Sequence, residues 1–140
     1  MEEKIRLSVC ALIICDGALL IVKRSALDGF LPNAWDFPGG GVEKGETLVS
    51  ALIREVKEEI NVDISTADIE LIGVSEEISK KEEIKHEIQF NYEIVLESRV
   101  PVRLNSEHSA YDWIDKRDDR LDDWLKTVLR QSRTCKNWIK

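Results

Sequence analysis

The amino-acid sequence predicts a layered α/β domain, and three observations carry that expectation. Segments with strand patterning and segments with helical patterning interleave along the chain, which favours helices packed on a sheet. The 140 residues suit one domain, taken as residues 1–140, with a core of its own. Apolar residues make up 43% of the chain, which sets it apart from disordered sequences.

The elements follow in order. Arg6 to Cys15 is rich in Val, Ile and Leu and reads as a buried strand. Asp16-Gly17 is a tight-turn dipeptide, and Ala18 to Lys23 reads as the returning strand of a hairpin. Ser25 to Asn33 carries turn residues and a proline and is expected to be a loop. Trp35 to Phe37 is a short apolar patch ahead of Pro38-Gly39-Gly40-Gly41. Glu46 to Ile60 places Leu48, Leu52, Val56 and Ile60 in four-residue steps, which predicts a helix. Asn61 is suited to end it in the left-handed conformation. Ile69 to Val74 and Glu87 to Leu96 read as strands, with the charged segment Glu76 to Lys85 between them expected as a solvated turn. Ala110 to Ile114 reads as a last short strand. Leu121, Trp124, Leu125, Val128 and Leu129 share one helical face.

Charge and cysteine usage narrow the function. A net charge of −7 disfavours a nucleic-acid polymer as partner, since backbone binding needs clustered Lys and Arg. An acidic enzyme that handles phosphates needs metal ions to offset repulsion. No apolar run is long enough for a membrane span, and the acidic Glu2-Glu3 pair does not resemble the start of a signal peptide. A cytoplasmic location with no membrane partner is the resulting expectation. The three cysteines, Cys10, Cys15 and Cys135, have no repeated spacing, so they read as small buried hydrophobes rather than a disulfide or zinc framework.

The segment Gly39 to Val62 holds the informative chemistry. On a helical wheel at about 100° per residue with Leu48 at zero, Leu52, Val56, Val49, Ile60 and Ile53 fall between roughly 40° and 140°. Glu59 falls near 20°, at the edge of that stripe, and Glu55 and Glu58 near 340° and 280°. Three carboxylates thus gather on one flank of the buried face. Two of them about 6 Å apart repel by roughly 3 kcal/mol at an effective dielectric of 20. A bound Mg²⁺ or Mn²⁺ relieves that conflict, because oxygen-rich sites suit these ions. The plainer alternative is a solvated Glu-rich face, with Arg54 paired to Glu58 four residues on. Gly39, Gly40, Gly41 and Gly45 precede the helix and let backbone approach a phosphate or a metal near a helix N-terminus.

This segment resembles the Nudix box of the Nudix hydrolases. Gly40, Glu46, Arg54, Glu55, Val56, Glu58, Glu59 and Val62 fit its pattern, with Asn61 in place of the final glycine. Trp35-Asp36-Phe37-Pro38 before the box and Glu107 to Trp113 after it extend the likeness over most of the chain. The resemblance implies an α/β/α sandwich with a mixed sheet and hydrolysis of a diphosphate linkage in a nucleotide-like small molecule. By carry-over, Glu55, Glu58 and Glu59 bind Mg²⁺, or alternatively Mn²⁺, with the Gly40 carbonyl joining them. Arg54 and Glu46 orient the carboxylates. Gly39, Gly40, Arg54 and Trp35 are the expected substrate contacts, although Trp35 and Phe37 also suit simple core packing. Glu107 sits where some family members carry a late catalytic carboxylate; the alternative is a solvated loop acid. His108 reads as a loop histidine rather than a ligand. Asp63 to Lys80 contains neither proline nor tyrosine, which argues against specialists for ADP-ribose or dinucleoside polyphosphates. A nucleoside triphosphate is then the expected substrate. A nucleotide-binding sensor without activity is the competing class, and a homodimer is left open.

Overall fold

A computed structural model of the chain describes residues 3–80 and 84–139. Seven strands form one mixed sheet: β1 (Glu3–Cys15), β2 (Ala18–Arg24), β3 (Trp35–Asp36), β4 (Gly39–Gly41), β5 (Asp68–Lys80), β6 (Ile84–Leu96) and β7 (His108–Ile114). Two helices, α1 (Leu48–Ile60) and α2 (Asp123–Leu129), and a 3-10 turn at Lys136–Trp138 complete it. The main strand order is β3-β2-β1-β6-β5, with β4 also pairing β1 and β7 pairing β2.

The alternation of β1 makes the layers. Val9, Ala11 and Ile13 join the core beneath α1, formed with Leu52, Val56 and Ile60. Cys10, Leu12 and Ile14 join a second core beneath α2, formed with Leu121, Leu125 and Leu129. Successive side chains of a strand face opposite ways, so one strand serves both cores. The result is an α/β/α sandwich. All three cysteines are free and buried, as small hydrophobes are. Among the described residues, no helix is long and apolar enough to cross a membrane.

The hairpin turn is at Asp16-Gly17, where both residues take positive φ, 51° and 76°, as a turn matched to strand twist requires. Beyond it β1 and β2 pair only at Ile14↔Leu19 and Cys15↔Ala18. They then part. β2 pairs with β3 and β7, while β4 takes the edge of β1 at Ser8 to Cys10. The Ala11 amide donates to the Pro38 carbonyl at 2.8 Å, which fixes the chain where it enters β4.

Several boundaries differ from expectation. The helix begins at Leu48, two residues later than predicted, because Thr47 caps it and exchanges hydrogen bonds with Ser50. It ends at Asn61 with φ 57°, the left-handed cap anticipated for that residue. β1 begins at Glu3, β5 runs to Lys80 and β6 begins at Ile84. Most of the charged segment expected as a turn is therefore strand; residues 81–83 lie outside the described residues. The ladder runs without a break through Glu76↔Ile88, Glu77↔Glu87 and Ile78↔His86. Paired backbone holds this end of the sheet together, and little of it is covered, so its sequence lacks the apolar alternation of a half-buried strand. β7 begins at His108 rather than Ala110.

The C-terminal segment is fastened to the sheet by a buried carboxylate. Glu93 on β6 accepts hydrogen bonds from the Ser132 hydroxyl at 3.1 Å and from the amides of Arg133 and Thr134 at 3.2 and 3.3 Å.

Candidate active site

The parting of β1 and β2 leaves a cavity of about 300 Å³. Its lining comes from β1 (Arg6, Ser8, Val9, Cys10), β2 (Arg24), the following loop (Asp28), β3 and its exit (Asp36, Phe37), β4 (Gly39 to Gly41), α1 (Glu55, Glu59), β6 (Glu87, Gln89) and the β7 entry (Glu107, His108). Six carboxylates face two arginines there.

α1 delivers two of its three predicted carboxylates. Glu59 is buried, and its Oε2 accepts the Gly39 amide at 2.9 Å. Burial, reinforced by the charges of Glu55, Glu107 and Asp36, pushes its carboxyl up to about 9 despite that hydrogen bond. Glu55 is half-buried, and burial raises its carboxyl too, opposed by Arg54. A Cβ on Gly40 would lie 2.5–2.7 Å from the Glu55 carboxylate, so only glycine lets that group sit where it does. Gly39 is tighter still, because its Cβ would run into the Val9 carbonyl oxygen. The glycines of β4 are thus required by close approach; of the four before the helix, only Gly45 takes a positive φ, at 87°. Glu58 is exposed, 3.3 Å from Arg54 Nη1, and is not part of the cavity wall.

Arg54 organises this end of the helix. Its Nε and Nη2 donate to the two Glu46 oxygens at 2.8 and 2.9 Å, and Nη2 also reaches the Gly41 carbonyl at 3.0 Å. Nη1 donates to Glu55 at 2.9 Å. The guanidinium and the Glu43 amide together hold the Glu46 carboxyl down at about 2. Most of the Arg54 donors are therefore spent inside the protein, which suits a positioning role better than a substrate contact.

The segment before β7 is pinned against α1. The Arg103 amide donates to the Ile60 carbonyl at 3.0 Å and the Asn105 amide to the Glu59 carbonyl at 3.1 Å. Glu107 reaches the cavity from this segment, exposed, with its carbonyl accepting the Ser25 amide at 2.9 Å. His108 follows and is buried, in contrast to the loop setting expected of it. Burial lowers its imidazole below the ordinary range.

Other cavity residues went unnoticed in the sequence. Asp36 accepts Arg24 Nη2 at 2.8 Å, and Asp28 accepts Nη1 at 3.2 Å. Burial raises the Asp36 carboxyl, with Arg24 opposing. Arg6 donates to Glu87 at 2.8 Å at the cavity's rim. Only the strand pairing reveals these, since each is a single charged residue without a local pattern. Trp35 is not brought to the cavity. It packs against the core beneath α2, and Arg120 lies over its ring at 4.8 Å from the centroid. Cys10 lines the cavity, but burial and the neighbouring Asp36 and Glu59 hold it as a thiol, unsuited to nucleophilic attack.

Fold, glycine strand and buried carboxylates together define a phosphoanhydride-hydrolase site. A NUDIX domain family model matches residues 4–131, and the chain belongs to the Nudix family. It is a Nudix pyrophosphohydrolase. Nucleoside triphosphatase NudI of Escherichia coli O17:K52:H18 is 35% identical over an alignment covering 96% of this chain and 98% of the relative. NudI of Shigella flexneri matches equally, at 35%. Among solved structures, the MutT NUDIX hydrolase of Burkholderia pseudomallei superposes with a TM-score of 0.74 and 26% identity, over 91% of this chain and 98% of that one. The MutT protein of Methanosarcina mazei Go1 shares the fold, with a TM-score of 0.69 at 24% identity over 99% and 89%.

Proposed function

We propose that the chain hydrolyses nucleoside triphosphates to the nucleoside monophosphate and pyrophosphate, as a single catalytic domain that depends on Mg²⁺ or Mn²⁺. The observation that carries the metal is the cavity wall, where six carboxylates face two arginines and Glu59 is buried among them. A polyphosphate cannot approach such a wall without added positive charge. The donor set is all oxygen along α1 and β4, which fits hard divalent cations. Glu55 and Glu59, with Glu58 swinging in from solvent and the Gly40 carbonyl beside them, would hold the ions. When bound, these ions offset phosphate charge and polarise the phosphorus–oxygen bonds.

The protein's own groups do the rest. The Gly39 amide fixes one Glu59 oxygen and leaves the other for the cavity. Arg54 holds Glu46 and Glu55 in place. The narrow β4 backbone leaves room for phosphates beside Gly39 and Gly40, within reach of Arg24 and Arg6 at the wall. Glu107 takes a proton from water as its oxygen attacks the α-phosphorus; the α–β bridging bond breaks, and pyrophosphate leaves with the bonding electrons. The triphosphate choice is supported by the NudI relatives, whose printed activity is nucleoside triphosphate hydrolysis.

The test is a substrate panel with Mg²⁺: the eight common ribo- and deoxyribonucleoside triphosphates, ADP-ribose, a nucleotide sugar and a dinucleoside tetraphosphate, with products separated by ion exchange. Triphosphates should give monophosphate and pyrophosphate fastest, and Glu59→Gln should abolish turnover. Preference for ADP-ribose or a nucleotide sugar would overturn the substrate reading. Full turnover in excess chelator would overturn the metal reading.

A further inference from the structure

His108 is the buried cavity residue that this mechanism leaves idle. It is only 9% exposed, and its Nδ1 is buried with no hydrogen-bond partner. Buried polar atoms are nearly always paired, so an orphaned ring nitrogen points to a missing partner. One ring nitrogen of His108 and one carboxylate oxygen each from Glu59 and Glu107 lie within 4.8 Å of one another. Donors bound at about 2.0–2.2 Å to one ion stand roughly 3–4.4 Å apart, so a small inward adjustment closes this set around a cation. The three groups come from separate backbone segments that are tied together: the Asn105 amide is bonded to the Glu59 carbonyl at 3.1 Å and the His108 amide to the Asn105 carbonyl at 3.3 Å. The placement is therefore a property of the fold, not of freely turning side chains.

We propose that His108, Glu59 and Glu107 form a mixed nitrogen–oxygen site for a first-row transition ion such as Mn²⁺, next to the all-oxygen position on α1. The inference rests on reading the cavity as metal-binding and extends it to a second kind of position. Imidazole favours transition ions, whereas Mg²⁺ seeks oxygen donors. The site therefore discriminates: Mn²⁺ occupies both positions, and Mg²⁺ fills the all-oxygen one far better. Glu59, shared between the two, bridges them.

The probe is Mn²⁺ on the full chain, read by pulsed electron paramagnetic resonance. Directly coordinated imidazole gives a nitrogen coupling that changes when histidine alone is labelled with ¹⁵N. The chain has two histidines, His86 and His108; His86 is on β6, bonded to Glu76 at 2.9 Å, and is not part of the cavity. The coupling should appear in wild-type protein, persist in His86→Gln and vanish in His108→Gln. Calorimetry should show that His108→Gln loses about tenfold or more in Mn²⁺ affinity, as disturbed metal sites generally do, with Mg²⁺ affinity changed less than about threefold. If His108→Gln fails to fold, the labelled wild-type and His86→Gln spectra decide alone. Bound Mn²⁺ without histidine coupling would overturn this inference and leave the proposed function standing. Absence of any Mn²⁺ or Mg²⁺ binding would overturn both.

Discussion

At the scale of single residues, Glu59 is where sequence and structure differ most usefully. The wheel placed it at the edge of the apolar stripe because Val49 and Ile53 were counted inside. In the fold Val49 is exposed and Ala51 is buried, which turns the face so that Glu59 lies near its middle, between Ala51 at about 300° and Ile60 at about 120°. Hydropathy alone cannot see this, since alanine is a weak signal and valine a strong one. The setting has a pH consequence. With divalent ions chelated, the native Glu59 carboxyl titrates near 9 against an ordinary value of 4.5. The native state then holds a proton that the unfolded state gives up, so stability falls as pH rises between about 4.5 and 9. The thermal midpoint in chelator should fall across that window in wild-type protein, and the slope should flatten in Glu59→Gln. Equal slopes would refute the buried acid. Glu107 was legible only through resemblance. A base acts in the transition state, so Glu107→Gln should lower kcat by about 10²–10⁴ with little change in KM. A wild-type kcat at limiting Mg²⁺ would exclude it. Asn61 was readable from chemistry: its left-handed φ of 57° makes Asn61→Gly neutral or mildly stabilising, whereas Asn61→Val should cost about 1–2 kcal/mol in chemical denaturation. Equal stability of the two variants would contradict the cap.

At the scale of elements, the helices and the β1–β2 hairpin were legible because each carries periodicity and a cap or turn of its own. β4 was not. Three glycines have no hydropathy, and nothing local shows that they form a strand. Their role is set by what lies opposite: the Val9 backbone against Gly39 and the Glu55 carboxylate against Gly40. Backbone cannot step aside as a side chain can. Gly39→Ala should therefore cost roughly 1–3 kcal/mol of stability, in the range of overpacked sites. It should also weaken Mg²⁺ binding, because the amide that holds Glu59 moves with the strand. Wild-type stability together with a wild-type Mg²⁺ response would disprove that coupling. The β5–β6 ribbon was half legible. Its inner part alternates against a core, while its outer part, from Glu76 to His86, is charged and largely uncovered. Hydrogen bonds between strands leave no trace in composition.

For the whole molecule, the α/β/α layering could be foreseen because one apolar strand, β1, must be covered on both faces and the chain supplies one helix for each. The cavity could not. It is assembled from five strands, a helix and two connecting segments, and the charged residues Arg6, Arg24, Asp36 and His108 gain meaning only when the parting of β1 from β2 brings them together. The contiguous box supplied the part of the site that a short motif can encode. The opposite wall depends on topology.

The parallel pairing of β1 with β6 has a consequence in time. Every rung of that ladder joins positions far apart in the chain; Glu3 meets Ile84, 81 positions later. Pairings this remote slow folding, because the intervening chain must be closed into a loop before they stabilise anything. During synthesis at about 5–20 residues per second, β1 leaves the ribosome some 4–16 seconds before β6 exists. Throughout that interval its apolar faces and its unpaired edge are open to passing chains and to chaperones. The strand at the centre of the finished sheet is the one that waits longest for its neighbour.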